Sequence, residues 1–204
     1  MNPLNSVNGT IIAGVVISIV VAIATAIGYS TGIGINVATL IIWLHVLAGI
    51  TWIGLLYYFN FVQVPALADA AADDGGPGGA GITKYVAPRA LWWFRWGAVF
   101  TWITGAAFLG HRGIFVDAFA LGMNGSGLGG LWIGVGAWFG TIMLFNVWVL
   151  IWPNQKKVLG IVEATAEEIG KAKRVAFLAS RTNTMLSIPM LMSMVGFSHG
   201  GFVL

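Results

Sequence analysis

Apolar residues run along this chain in long blocks, each set off from the next by glycine, proline or charge. At a need of roughly 20 apolar residues per crossing, the blocks predict membrane-spanning helices over residues 10–29, 37–67, 88–111, 128–152 and 176–199. The first lacks a charged leader and is too long for a signal-peptide core, so it reads as a retained span. The second is longer than a bilayer requires and must tilt or protrude. A polar turn at 30–36 separates these two, and a linker at 68–87 containing Asp73-Asp74-Gly75-Gly76-Pro77-Gly78-Gly79 reads as a mobile loop before Pro88 opens the third span. Residues 114–123 are apolar but too short to cross, which makes them an interfacial or re-entrant piece. In the fourth block, Gly130 with Gly134 and Gly136 with Gly140 form small-x-x-x-small pairs, a signal foremost of close helix packing. Pro189, in the middle of the fifth, frees the Met185 carbonyl and predicts a kink.

Composition agrees with the pattern. Of 204 residues, 58% are hydrophobic and 8% charged, too little charge to cover a water-soluble surface. The fold class expected is an all-α polytopic helix bundle, a single integral membrane domain over 1–204 with the lipid bilayer as its solvent. The formal charge of +3 comes from basic residues gathered largely at one connector, 153–175, with Lys156, Lys157, Lys171, Lys173 and Arg174 set against Glu163, Glu167 and Glu168. These are topology signals for an amphipathic segment on the membrane surface, with no nucleic-acid partner implied. The positive-inside rule places that connector in the cytoplasm, hence the N-terminus inside and the C-terminus outside, the periplasm of a Gram-negative inner membrane. There is no cysteine, which excludes disulfides, thiolate ligands and covalently attached c-type haem.

This threading sends all three histidines, His45, His111 and His199, toward the outer leaflet. Imidazoles near lipid are costly without a partner, so a metal or haem site there is the leading idea. His45 is the deepest, with Gly49 one turn on and Trp43 and Trp52 flanking it. His111 stands beside Arg112 at a helix end, where a solvated histidine is common. Met185, Met192 and His199 recur every seven residues on roughly one helix face, which fits packing as well as ligation.

A second polar layer falls near the cytoplasmic boundary. Asn60 and Gln63, Arg95, Asn146, and Arg181 with Asn183 come from four different helices. Such groups bridge helices or snorkel to headgroups; alternatively they line a donor-rich pocket for a planar anion or for haem propionates. Asp117, the acid nearest an apolar segment, reads as interfacial.

The run from Trp43-Leu44-His45 through Tyr57-Tyr58-Phe59-Asn60 and Gln63 to Pro65 resembles the histidine-bearing helix of bacterial membrane-bound urate hydroxylases, the urate oxidase N-terminal domain family. The similarity continues through Trp93-Phe94-Arg95-Trp96-Gly97, Thr101-Trp102-Ile103-Thr104-Gly105, Trp152-Pro153-Asn154-Gln155-Lys156-Lys157, Ser180-Arg181-Thr182-Asn183 to Pro189, and Ser198-His199. It covers most of the chain from residue 37 onward. The resemblance implies an oxidoreductase that hydroxylates urate on the cytoplasmic side and passes electrons outward to cytochrome c. The cytochrome c domain that commonly follows in that family is not within these residues, so a separate cytochrome c or other redox subunit is expected as electron acceptor. Arg95 and Arg181 would then neutralise urate, and Asn60, Gln63, Asn146 and Asn183 would meet its amide-like edges. His45 and His199, both inside the similar stretches, are expected to ligate a b-type haem, with His111 or Met192 in reserve.

No base or nucleophile stands out. Two other classes stay open: a haem-carrying or quinol-linked subunit of a larger respiratory or oxygenase complex, and a structural helper whose polar residues only join helices. Homo- or hetero-oligomers are compatible with all three.

Overall fold

The computed structural model describes residues 2–28 and 34–201. The described residues are mostly helical, without strands. The polar turn expected at 30–36 falls largely outside them, as does Tyr29. Two compact units divide the chain, Met1–Val37 and Ala38–Leu204.

In the first unit a 3-10 turn, Pro3–Asn5, is capped by the Asn2 side chain, which accepts from the Leu4 amide at 2.9 Å. Helix α1, Val7–Gly28, follows with none of its residues buried. Its hydroxyls are satisfied within the helix: Ser18 donates to the Gly14 carbonyl at 2.9 Å and Thr25 to the Val21 carbonyl at 2.8 Å. That arrangement suits hydrocarbon, where a polar group has no water to turn to.

The second unit holds α2 (Val37–Tyr58) from its second residue on, α3 (Val64–Ala72), α4 (Ala87–His111), α5 (Phe115–Phe119), α6 (Gly127–Phe145), α7 (Trp152–Val158) and α8 (Ala166–His199). Widened π-helical turns at Phe59–Gln63, Ile82–Val86 and Asn146–Ile151 lead directly into α3, α4 and α7. Each ends two residues before a proline: Pro65, Pro88 and Pro153. Proline removes one amide and crowds the carbonyl four residues back; the wider turn accommodates both without ending the helix. Val37–Ala72 and Gly127–Val158 are thereby continuous helices of 36 and 32 residues. With Val7–Gly28 they are the three helices among the described residues that are long and apolar enough to cross a membrane. Helices α4 and α8, of 25 and 34 residues, are long enough but more polar.

Two boundaries differ from the sequence reading. The linker expected over 68–87 is helical up to Ala72 and again from residue 80, leaving a short glycine-rich loop. The surface connector expected over 153–175 is divided between α7 and the first turns of α8, with the break at 159–165. Thr165 sets that break: its hydroxyl accepts from the Glu168 amide while the Glu168 carboxylate takes the Thr165 amide, a capping box. Pro189 sits inside α8, which stays α-helical from end to end.

The Thr165 amide, and then Lys157 at 3.6 Å, hold the Glu168 carboxyl below the usual carboxylate range. A lowered folded-state value stabilises this helix start at neutral pH, and the contribution disappears as pH falls through that value. Hydrogen exchange at the first amides of α8 is therefore expected to accelerate, relative to the rest of the helix, between pH 7 and pH 3. Equal protection at both would contradict the capping role.

Small residues bring the helices together. A Cβ on Gly97 of α4 would stand 3.2 Å from the Trp52 amide nitrogen of α2. Gly136 and Gly140 of α6 face Ser193, Met194 and Met190 of α8, whereas Gly130 and Gly134 face Gly122 and Ala118 in and after α5. The two glycine pairs thus serve different neighbours, and both pack helices. Asp117 closes the α5–α6 turn by accepting from the Asn124 and Ser126 amides at 2.6 and 2.8 Å.

Candidate functional site

The larger core cluster gathers Trp52, Leu56 and Phe59 from the α2 side, Leu91, Phe94 and Ala98 from α4, Met143, Val147 and Ile151 from the α6 side, and Ala179 and Met190 from α8. Around it lie the buried polar residues Asn60, Gln63, Arg95, Asn146 and Asn183. Five of the six residues expected in the polar layer therefore surround one core. The sixth, Arg181, is exposed, its guanidinium 5.2 Å from the Phe177 ring. Residues two apart on a helix point to nearly opposite sides. With Asn183 fully buried, Arg181 faces outward.

The three asparagines are occupied as helix ties. Asn60 donates to the Leu56 carbonyl at 2.9 Å and to the Ser180 hydroxyl at 2.8 Å, joining α2 to α8. Asn146 donates to Asn183 at 2.8 Å, and Asn183 to the Met143 carbonyl at 3.0 Å, joining α6 to α8. Two of these ties lie at π turns, where the regular carbonyl ladder is interrupted and a side-chain amide finds an acceptor. Tyr57 and Ser187, 2.9 Å apart, add a further α2–α8 link that the sequence reading missed.

Arg95 is different. It is 8% exposed, and its guanidinium carbon lies 3.2 Å from the centre of the Trp152 ring and 5.9 Å from that of Trp148. Its Nε and one Nη have no hydrogen-bond partner, nor do the indole N–H groups of Trp52 and Trp148 or the side-chain oxygen of Gln63. No carboxylate pairs with it among the described residues. A buried cation is costly unless compensated, and an aromatic face compensates only in part. The uncommitted groups are four donor nitrogens and one oxygen acceptor, with a single positive charge. That set matches a planar, acceptor-rich anion. Trp152 was missed as a partner because Pro153 reads as the end of a span, whereas the helix widens over Asn146–Ile151 and runs on through Trp152 to Val158. A cleft of about 390 Å³ beside this layer is lined by Val99, Trp102, Thr141, Leu144, Phe145 and Trp148.

The histidines lie at the opposite end. His45 packs against α4, its Nδ1 2.9 Å from the Thr101 carbonyl and 3.2 Å from the Thr104 hydroxyl. A Cβ on Gly105 would stand 3.0 Å from the ring, so glycine makes room for it. Since a carbonyl only accepts, Nδ1 carries the hydrogen and Nε2 presents its lone pair, the tautomer used by metal-ligating histidines whose other nitrogen is tied to a carbonyl. His199 repeats this with Val195 at 3.1 Å but is exposed, as is His111. A second cluster of Leu109, Ala118 and Ile133, with Phe108 and Phe197 against it, draws the last turns of α4 and α8 together near both of these histidines. Met192 is 43% exposed and Met185 63%, so the α8 face that carries these two thioethers points away from the core, whereas Met190 is buried in it. Among the described residues no group of three or more histidine or acidic side chains could hold a metal ion. A b-type haem would need two axial nitrogens; His45 is half-buried against α4 and His199 is exposed, each with its Nδ1 turned to a carbonyl.

No curated protein and no solved structure matches the chain. A family model described as urate oxidase N-terminal matches residues 113–203, a stretch that includes Asn146, Asn183 and His199 and begins after Arg95 and His45. Over residues 113–203 the chain is thus similar to the urate oxidase N-terminal family.

Proposed function

We propose that the protein is the membrane component of a urate-oxidising system, binding urate as its monoanion at Arg95. One observation carries the reading: a buried guanidinium, stacked on Trp152, with two unpartnered nitrogens and no anionic partner among the described residues. The match of residues 113–203 to the urate oxidase N-terminal family model supports a urate-related role. Arg95 supplies the charge, the Trp52 and Trp148 N–H groups and Gln63 complete the edge contacts, and Asn60, Asn146 and Asn183 hold the helices that carry them. Hydroxylation of urate by water releases two electrons and two protons, so an electron exit is required. His45 and His199 would hold a b-type haem, which supplies one-electron transfer across the bilayer to a separate cytochrome c. The arrangement proposed is five crossings of a bacterial inner membrane, with the Arg95 layer cytoplasmic and the histidine end periplasmic.

The test is urate-dependent reduction of added cytochrome c by membranes containing the full chain. Reduction that requires both urate and the chain supports the reading; its absence, with the protein folded and inserted, leaves a haem-carrying or purely structural subunit. A second expectation concerns the histidine end. Substituting His45 by alanine should remove any b-type absorbance of the purified protein, because the deepest Nε2 is lost. Full retention of the band would return His45 to packing α2 on α4.

A further inference from the structure

Arg181 is left over from the urate site and stands on the outer face of α8 with Arg174. The two guanidinium carbons lie 5.2 and 5.9 Å from the centre of the same Phe177 ring. Neither arginine has a carboxylate partner: the ion pairs among the described residues are Lys157 with Glu168 and Lys171 with Glu167. Their neighbours on the surface are aliphatic and exposed, with Val175 at 39%, Leu178 at 46%, Met185 at 63% and Ile188 at 65%. Seven residues separate the arginines, roughly 10 Å along the helix, and the lower one therefore sits where the charged first turns of α8 give way to lipid-facing side chains. An unpaired arginine at that depth needs an anion, since charge is costly beside hydrocarbon.

We propose that Arg174, Phe177 and Arg181 form a headgroup site for an anionic phospholipid. The guanidinium forks grip the phosphate oxygens in pairs, Phe177 holds both forks in place, and Leu178, Met185 and Ile188 receive the acyl chains. A protein partner would call for groups able to hydrogen-bond around the arginines, and below Arg181 this face is carried by Met185, Ile188 and Met192, the nearby Thr184 hydroxyl being turned back to the Ser180 carbonyl at 3.1 Å. The site is independent of the urate reading, since none of its residues touches Arg95.

Native mass spectrometry of the full chain in detergent, with phosphatidylglycerol or phosphatidylcholine added, tests the proposal. Preferential retention of phosphatidylglycerol is expected. At about 1 kcal/mol per basic residue, retention should weaken roughly fivefold in either Arg174→Gln or Arg181→Gln and about thirtyfold in the double variant. Helix content should not change, because both side chains are exposed. The Lys/Lys pair, which keeps charge but loses the fork, should fall between. Equal retention of the two lipids by the starting protein, or unchanged retention in the double variant, would overturn the site. So would displacement by millimolar inorganic phosphate, which would mark a soluble-anion site. A change of oligomeric mass without loss of lipid would mark a protein interface and would overturn it equally.

Discussion

Arg95→Ala is expected to weaken urate binding by roughly ten- to a hundredfold while leaving the helices assembled. The magnitude follows from a charge-assisted contact in a desolvated place, about 1.5–3 kcal/mol. The direction follows from what the guanidinium lacks: two of its nitrogens have no protein acceptor, so their removal strands no partner. Its only described contacts are the aromatic faces of Trp152 and Trp148, which tolerate alanine at the cost of a small void. Arg95→Lys should recover the charge but not the planar fork or its stacking, and should bind urate more weakly than the starting protein. Equilibrium binding of labelled urate to the purified full chain distinguishes these cases. Equal affinity in all three proteins would make Arg95 a helix-bridging residue and would remove the main support for the substrate site.

Asn183→Leu is expected to destabilise the bundle by about 2 kcal/mol, the lower part of what two stranded buried groups would cost. The side chain is fully buried and ties two partners on the α6 side, the Asn146 amide and the Met143 carbonyl. Leucine satisfies neither. The lower value is appropriate because hydrogen bonds between membrane helices average less than those in water-soluble cores, the unfolded chain in lipid finding partners of its own. Unfolding in mixed detergent micelles, followed by helix content, checks this. Asn146→Leu in the same chain should recover part of the loss, since it removes one of the two stranded groups. An unchanged midpoint in Asn183→Leu would mean that the α6–α8 joint rests on its glycines alone.

Much of this was legible from residue pattern because lipid simplifies the rules: helices are imposed by backbone satisfaction, and their ends by charge and proline. The membrane-bundle class, the glycine pairs and the polar residues of four helices could all be read that way. Which face each residue occupies was harder. In α8 the buried positions are Ala172, Ala176, Ala179, Asn183, Ser187, Met190, Ser193 and Gly196, small or polar nearly throughout. The apolar residues Leu178, Ile188 and Leu191 are exposed. In a membrane the small face is the packed one, and that inversion, applied to α8, would have turned Arg181 outward at once. The prolines misled in a different way. Pro153 reads as the end of a span, yet the helix widens over Asn146–Ile151 and runs on to Val158. Without that continuation the Trp152 ring would not reach Arg95. The signal for it is local: Phe59-Asn60 and Phe145-Asn146 each open a π turn that ends before an X-Pro pair. The Nε2 lone pair of His45 was beyond reach of the sequence, since it depends on the Thr101 carbonyl 56 residues away.

The most direct test of the whole account is the visible spectrum of the purified full chain, recorded without oxygen before and after urate is added. The account predicts a b-type haem spectrum that becomes reduced on urate addition, and no reduction in Arg95→Ala although its haem band is retained. A protein without haem absorbance, or a haem spectrum that urate leaves unchanged, would contradict it.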